Sequence, residues 1–194
     1  MGVMNDLELY WDDRGRKRFS KRMDKAYQEA RLMGLLENKR IEAAVDFGCG
    51  YGRIGRILFE VHPELKIYVG VDLSLSQISQ ARLNIDRREA LFVHSTIRDF
   101  EVADGAFDLS IAVEVLMHIG PGDILQSMKK MVDASKRYII NIDWARKSPV
   151  LPDVNGYSFN YDYGCLYQRL GYHAESVDLP RLSGEPQKMW IVTK

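Results

Sequence analysis

Short apolar runs alternate along the chain with longer segments whose apolar residues recur at three- and four-residue steps. The short runs predict seven strands, over 43–47, 67–72, 90–94, 107–113, 137–142, 173–179 and 188–193. The longer segments predict helices over 16–37, 53–61, 75–85, 123–134 and 162–170. Strands separated by helices indicate right-handed crossovers and a parallel sheet with helices on both faces. The last two strands are expected to form a hairpin.

Capping and turn residues support these boundaries. Ser74 is expected to cap the helix over 75–85, and Gly171 to end the helix over 162–170. Asp104 and Gly105 mark a turn before the fourth strand. We see no repeat, low-complexity tract or linker that divides the chain, so we predict a single α/β domain over 1–194.

Composition and charge are those of an ordinary globular protein. Of the 194 residues 46% are hydrophobic and 28% charged, and 27 basic residues balance 27 acidic ones. A neutral chain has no overall attraction for nucleic acid, and no apolar run approaches the length of a membrane span. The first residues are acidic and lack a signal-peptide core, and the two cysteines are far apart in sequence. We therefore expect a reduced protein of the cytoplasm with no membrane partner.

The first predicted strand runs into the segment VDFGCGYGRIG, residues 45–55, which holds four glycines and one aspartate. It fits the dinucleotide pattern GxGxxG at 50–55. It also fits DxGxGxG at 46–52, the first motif of class I S-adenosylmethionine-dependent methyltransferases. The aspartate favours the second pattern, because a carboxylate repels a pyrophosphate but attracts S-adenosylmethionine, which is cationic at its sulfur and amine. The glycines let the backbone pass close under such a ligand, and the next helix offers N–H groups to its carboxylate.

Two further motifs follow this glycine loop. Asp72 ends the next strand, 20 residues after Gly52, at the spacing of an acid that binds ribose hydroxyls in either nucleotide class. The run VHSTIRDF…DGAFDLSIAVEVLMHI, over 93–119, is similar to the methyltransferase segment that meets the adenine amine. From 45 to 119 the chain thus resembles the class I methyltransferases, whose fold is a seven-stranded Rossmann-like sheet with an antiparallel last strand.

The resemblance implies S-adenosylmethionine as cofactor and a set of residues that bind it. These residues are Asp46, Gly48, Gly50, Gly52, Asp72, Leu73, Thr96, Ile97 and Glu114. Many family members carry Asp where this chain has Ser95 or Thr96. Adenine is then read either by the Ile97 backbone N–H together with a hydroxyl, or by Asp99.

The family reaction is an in-line attack of the acceptor on the sulfonium methyl, and a hydroxyl acceptor also needs a base. His118 and Asp143 are the candidates for this base, although a histidine at this place often only packs near the site. The segment EVLMH, 114–118, lies where RNA 3′-end 2′-O-methyltransferases carry a Glu-x-x-Glu-His metal cluster. Met117 replaces the second Glu, and a thioether is a poor ligand for a hard cation. We therefore expect no metal.

Two segments are candidates for acceptor binding. Residues 14–25 hold seven basic residues and one acid, inside an N-terminal helical lid predicted over 1–40. The aromatic and polar segment 143–164 follows the fifth strand, at the edge where such sheets bind ligands. The expected acceptor contacts are Arg14, Arg18, Trp144, Tyr157, Asn160 and Tyr161. The structural alternatives are a solvated helix face for the first segment and a half-buried edge for the second.

The predicted function is methyl transfer to an oxygen or nitrogen of a small, anionic metabolite held between these two segments. Nucleic acid is disfavoured as a substrate, because AVEVL at 112–116 replaces the Asn/Asp-Pro-Pro-aromatic motif of amino-methylating nucleic-acid enzymes. The alternatives are a protein or RNA O-methyltransferase that uses the basic helix, and a catalytically silent nucleoside-binding partner subunit. The sequence indicates no particular oligomeric state.

Overall fold

Seven strands and six α-helices make up the described part of the chain. The computed structural model describes residues 6–16, 23–145, 158–179 and 186–194. The strands are β1 (Ala43–Phe47), β2 (Ile67–Asp72), β3 (Ala90–His94), β4 (Phe107–Val113), β5 (Ser135–Trp144), β6 (Glu175–Leu179) and β7 (Gln187–Thr193). The helices are α1 (Asp6–Arg16), α2 (Met23–Leu36), α3 (Arg53–Val61), α4 (Leu75–Asn84), α5 (Ile124–Ala134) and α6 (Tyr163–Arg169). A single 3-10 turn covers Leu116–His118.

All seven predicted strands are present, and several local signals are confirmed. Ser74 caps α4, because its side chain accepts a hydrogen bond from the Gln77 amide. Gly171 follows α6 with a φ of 86°, in the left-handed region that favours glycine. None of the helices in the described ranges has the length and apolar character that crossing a membrane requires.

The N-terminal helices and β5 differ from the sequence prediction. The helix predicted over 16–37 corresponds to α2 and the last residue of α1, and 17–22 lie outside the described residues. The rest of α1 was missed because most of its residues are charged or polar and its apolar residues all lie within 7–11, too short a run to show a helical repeat. β5 extends beyond 142 to Trp144, so Asp143 belongs to the strand.

The strands form one seven-stranded sheet in the order β3-β2-β1-β4-β5-β7-β6. β1 and β3 are parallel to β2, and β4 is parallel to β5. β7 is antiparallel to both β5 and β6, which confirms the hairpin and the reversed last strand. All seven residues of β4 are buried, as expected of a parallel strand covered on both faces.

Contacts within the chain divide it into two compact units, Met1–Phe100 and Glu101–Lys194. The first unit holds α1–α4 and β1–β3, and the second holds the remaining elements. In the first unit Phe47 pairs with Val71, and Asp72 pairs with His94. The carboxyl ends of β1, β2 and β3 therefore lie at one edge, where sheets of this kind bind ligands. The single domain over 1–194 stays a prediction.

Candidate cofactor and acceptor sites

Three glycines of the loop after β1 have a backbone that other residues rarely adopt. The φ angles are 71° at Gly48, 55° at Gly50 and 87° at Gly52. A Cβ on Gly52 would lie 2.9 Å from Ile85 Cδ1, so this glycine is needed for packing. A Cβ on Gly50 would meet only Gln77 Oε1, at 3.9 Å, among the described atoms. Gly50 therefore borders space that the other described residues leave largely open.

The last glycine of the loop segment makes room for a tyrosine. A Cβ on Gly55 would lie 2.6 Å from Tyr68 Cζ and 2.7 Å from its hydroxyl oxygen. That hydroxyl donates a hydrogen bond of 2.8 Å to Asp46 Oδ2. Asp46 is only 1% exposed, and within the described part of the chain its buried Oδ1 has no hydrogen-bond partner. Burial raises the pKa of Asp46 to about 7. The hydrogen bond from Tyr68 acts in the opposite direction and lowers this pKa.

Asp72 at the end of β2 is tied to the glycine loop and to the start of α4. Its Oδ2 accepts a hydrogen bond from the Gly50 amide at 2.8 Å, and its Oδ1 accepts one from the Ser74 amide, also at 2.8 Å. Burial raises the pKa of Asp72, opposed by these two backbone N–H groups and by the nearby His94 ring. The side chain is therefore fixed in orientation at the edge where the loop leaves open space.

The predicted adenine-reading residues lie in one turn after β3. Thr96 Oγ1 donates to Asp99 Oδ2 at 2.7 Å and accepts from the Asp99 amide at 3.1 Å. The Ile97 side chain is buried. Leu73, a predicted cofactor contact that follows β2, has its carbonyl oxygen 2.9 Å from His94 Nε2. The Thr96 hydroxyl of one alternative for reading adenine and the Asp99 carboxylate of the other are thus hydrogen-bonded to each other.

In the second unit Glu114, which follows β4, has a backbone that is unusual for its residue type. Its φ is 60°, in the left-handed region, a strain of about 1–3 kcal/mol for a residue with a side chain. Its amide donates to the Ile142 carbonyl at 2.7 Å, and its Oε1 accepts from Gln187 Nε2 at 2.8 Å. These two contacts hold the strained conformation.

Asp143 lies beneath the 3-10 turn that carries His118. Its side chain is fully buried, and its Oδ1 accepts from the Met117 amide at 3.3 Å while its Oδ2 accepts from Asn141 Nδ2 at 3.3 Å. Burial raises the pKa of Asp143 well above its ordinary value. His118 is half-buried, with Nδ1 3.2 Å from Ser158 Oγ. Of the two candidate bases, the ring of His118 is the more accessible.

The segment that begins at Ser158 runs along the same turn. The Phe159 amide donates to the Met117 carbonyl at 2.7 Å, and the Tyr161 hydroxyl donates to the Ile119 carbonyl at 2.6 Å. Asn160 and Tyr161 are buried. The Phe159 backbone and the Tyr161 side chain thus help to hold the turn in place.

The other predicted acceptor contacts are less defined. Trp144 is half-buried at the end of β5. Tyr157 and Arg18 lie outside the described residues, and Arg14 is described only as part of the α1 backbone.

Residues 44–137 match a family model described as a methyltransferase domain. They carry the glycine loop, Asp72 and the turn with His118. The family model and the solved structures described below indicate a class I S-adenosylmethionine-dependent methyltransferase.

One curated relative of the chain is an uncharacterized 37.1 kDa protein in transposon TN4556 of Streptomyces fradiae. It is 26% identical over 127 residues, which are 63% of this chain and 36% of the relative. The chain thus spans about a third of the relative's length.

Two solved structures illustrate the fold. The N-methyltransferase NodS from Bradyrhizobium japonicum WM9, in complex with S-adenosylhomocysteine, is 14% identical with a TM-score of 0.77, over 98% of this chain and 99% of NodS. The 1,6-didemethyltoxoflavin-N1-methyltransferase from Burkholderia thailandensis, with bound 1,6-didemethyltoxoflavin and S-adenosylhomocysteine, is 14% identical with a TM-score of 0.75. That match covers 96% of this chain and 84% of the other.

The residues around the glycine loop fit S-adenosylmethionine, the cofactor of class I methyltransferases. Gly50 leaves a place that a side chain would fill, and Asp72 is held beside it by the Gly50 amide. A fixed carboxylate suits the vicinal hydroxyls of a ribose. Asp46 adds a buried oxygen in need of a donor, which suits a cation rather than a phosphate. In the described ranges no group of three His, Cys, Asp or Glu residues is placed to hold a metal ion.

Sequence reasoning missed several partners of these residues. They are Tyr68 for Asp46, Gln187 for Glu114, and Ser158 for His118. Tyr68 and Gln187 lie within predicted strands or at their ends, where periodicity predicts burial but no polar partner. The positive φ of Glu114 has no signal in the sequence, because glycine and asparagine are the usual residues there.

Proposed function

We propose that this chain transfers the sulfonium methyl group of S-adenosylmethionine to an oxygen or nitrogen atom of a small acceptor. S-adenosylhomocysteine leaves, and the acceptor gives up a proton. The observation that carries this proposal is the hydrogen bond from the Gly50 amide to Asp72, because it fixes a carboxylate beside the open space at the loop. The bound cofactor supplies an electrophilic methyl group on a positively charged sulfur.

The residues of the first unit bind and orient the cofactor in this proposal. Asp72 accepts hydrogen bonds from the ribose hydroxyls, and the backbone at Gly48, Gly50 and Gly52 passes under the methionine part. The turn with Thr96 and Asp99 meets adenine. Leu73, Ile97 and Glu114 stay predicted cofactor contacts, as does a direct role for Asp46.

The second unit supplies the base where the acceptor is a hydroxyl. We assign this role to His118, because its ring is only half-buried and its Nδ1 is oriented by Ser158. The carboxyl of Asp143 is fully buried and holds the Met117 amide. Asp143 therefore positions the turn under His118 and does not reach an acceptor. Since the leaving group is already activated by its charge, alignment is the main task of these residues.

Two observations bear on the chemical class of the acceptor. The enzyme from Burkholderia thailandensis was solved with bound 1,6-didemethyltoxoflavin, which favours a small acceptor, and the basic cluster at 14–25 favours an anion. An anionic acceptor predicts that its KM rises with salt, and that the Arg14/Arg16/Arg18→Ala variant raises it further at low salt. A KM that responds to neither change contradicts the anionic acceptor. The protein or RNA O-methyltransferase and the silent subunit stay the alternatives, and location in the cytoplasm stays a prediction.

Calorimetry with S-adenosylhomocysteine, S-adenosylmethionine and NAD tests the cofactor assignment. We expect the first two to bind and NAD not to bind. Mass spectrometry of the purified protein tests whether an adenosyl ligand or an acceptor copurifies. Tight binding of NAD without binding of S-adenosylhomocysteine would contradict the proposal. Methylation of a small-molecule extract with radiolabelled S-adenosylmethionine distinguishes an enzyme from a silent subunit.

A further inference from the structure

A buried carboxylate attaches helix α1 to the start of helix α4. Asp12 is 6% exposed, and its Oδ1 accepts hydrogen bonds from Ser74 Oγ at 3.0 Å and from the Ser76 amide at 2.9 Å. Ser76 Oγ donates to the main-chain oxygen of Asp12 at 3.1 Å. The first turn of a helix has unpaired N–H groups and a partial positive charge, so it stabilises a carboxylate supplied by another element.

A second acid on α1 makes a contact one turn earlier. Glu8 Oε1 lies 3.1 Å from His94 Nε2, and the same nitrogen lies 2.9 Å from the Leu73 carbonyl oxygen. Because both neighbours are acceptors, this nitrogen carries a proton. Glu8 and Asp12 are four residues apart and therefore lie on one face of α1. Contacts of Glu8 and Asp12 thus attach this face of α1 to the residues around α4 and β3.

The contacts of Glu8 and Asp12 both lie next to Asp72. Leu73 and Ser74 follow it in the chain, and His94 is its partner in the register of β2 and β3. Ser74 belongs to both sets of contacts, because its amide donates to Asp72 Oδ1 at 2.8 Å while its hydroxyl donates to Asp12. The other oxygen of Asp72 accepts from the Gly50 amide. A continuous series of hydrogen bonds thus connects the glycine loop, Asp72 and Ser74 with α1.

We propose that Asp12 is a positioning residue of the cofactor site. By holding Ser74 and Ser76 it fixes the turn that orients Asp72, and the cofactor on Asp72 in turn stabilises the bound position of α1. The inference rests on the proposed function, which makes Asp72 the acceptor of the ribose hydroxyls. Coupling between two binding events is reciprocal, so each strengthens the other by the same factor.

The neighbouring residue provides a matched control. Asp13 is exposed, and Asp13→Ala removes the same charge from the same helix as Asp12→Ala. S-adenosylhomocysteine affinity is measured by calorimetry, and its dissociation rate by displacement with excess unlabelled ligand. We expect Asp12→Ala to weaken binding roughly tenfold, mainly through faster dissociation. Asp13→Ala is expected to stay within about twofold of wild type.

Two readouts separate positioning from general stability. Hydrogen exchange of the α1 amides should slow when S-adenosylhomocysteine is added to wild type, but not when it is added to Asp12→Ala. In an Asp72→Asn background Asp12→Ala should change the affinity little, because the group through which it acts is already altered. A structural role alone would give the same loss in both backgrounds. Should Asp12→Ala not fold, Asp12→Asn keeps the shape, loses the charge and is expected to show a smaller effect of the same sign.

The outcomes distinguish the two proposals. If wild type binds S-adenosylhomocysteine but the Asp12 and Asp13 variants bind it equally well, the inference about Asp12 is wrong and the proposed function stands. An equal loss in the wild-type and Asp72→Asn backgrounds also overturns the inference. If wild type binds no S-adenosylhomocysteine, the proposed function fails, and the inference fails with it.

Discussion

The hydroxyl of Tyr68 donates a hydrogen bond of 2.8 Å to the buried carboxyl of Asp46. Gly55 makes this contact possible, because a side chain there would occupy the space of the tyrosine ring. The carboxyl thus has one neutral donor in an interior that disfavours its charge, and its pKa is raised to about 7. A group that titrates near neutrality lies directly before the glycine loop.

The raised pKa of Asp46 predicts a pH-dependent stability. A carboxyl with a higher pKa in the folded state binds more protons when folded, so its contribution to the unfolding free energy falls as pH rises from about 4 to about 7. The change from 3.8 to about 7 corresponds to on the order of 4 kcal/mol. Asp46→Asn should remove this contribution.

Urea unfolding of wild type and Asp46→Asn at several pH values checks this prediction. Asp72 and Asp143 also have raised pKa values, but both remain in the variant, so the difference between the two proteins isolates Asp46. The stability of Asp46→Asn relative to wild type should increase between pH 4 and 7 and level off above pH 8. Parallel curves would show that Asp46 does not titrate in this window.

Removal of the Tyr68 hydroxyl should destabilise the protein most where Asp46 is charged. Tyr68→Phe leaves both oxygens of a buried carboxylate without a donor from the described residues, at a cost of about 1–3 kcal/mol. The loss should be larger at pH 8 than at pH 5, in urea unfolding. Tyr27→Phe, on an exposed tyrosine of α2, is the matched control and should change little at either pH.

The short distance between Gly55 and Tyr68 predicts a steric clash when Gly55 gains a side chain, whereas no clash is expected at Gly34, another helical glycine. Gly55→Ala places a Cβ 2.6 Å from Tyr68 Cζ and 2.7 Å from Ile85 Cδ1, and should destabilise by about 1–3 kcal/mol. Gly34→Ala in α2 meets no described atom within 4 Å and should stabilise by about 0.5–1 kcal/mol. Thermal unfolding of both variants measures the contrast. Equal shifts would mean that packing at Gly55 is loose.

A side chain at Gly50 should weaken ligand binding in addition to straining the backbone. Gly50→Ala and Gly105→Ala both force a side chain onto a positive φ, 55° and 66° respectively. Both should lose stability by a similar amount, about 1–2 kcal/mol. Only Gly50→Ala should also weaken S-adenosylhomocysteine binding, because its Cβ enters the open space beside Asp72. Calorimetry on the two folded variants tests this, and equal affinities would place the ligand elsewhere.

The hydrogen bonds of Asp143 predict that two substitutions at this position destabilise the protein to different degrees. Asp143→Ala leaves the Met117 amide and the Asn141 side chain without their acceptor and should destabilise by about 1–3 kcal/mol. Asp143→Asn keeps one acceptor oxygen and should lose less. Hydrogen exchange at the Met117 amide should speed up in the same order, whereas Asp178→Ala, on an exposed side chain, serves as control. Loss of methylation without faster exchange at Met117 would instead make Asp143 the catalytic base.

Local sequence patterns were sufficient for most elements and for the cofactor motif. The strand over 43–47, the cap at Ser74 and the hairpin of the last two strands depend on residues that are close in the chain, and burial periodicity and side-chain capping act over such short distances. The glycines of the loop could be identified for the same reason, since a positive φ is a property of single positions.

Only the tertiary structure decided which polar groups meet. Tyr68 lies 22 residues from Asp46, Met117 lies 26 from Asp143, and Ser74 lies 62 from Asp12. No periodicity relates such pairs, because a hydrogen bond in the interior depends on how strands and helices are placed against one another. Helix α1 shows this most directly. Its charged sequence has little helical pattern, and its acids are held by residues of α4 and β3 that only the fold brings within reach.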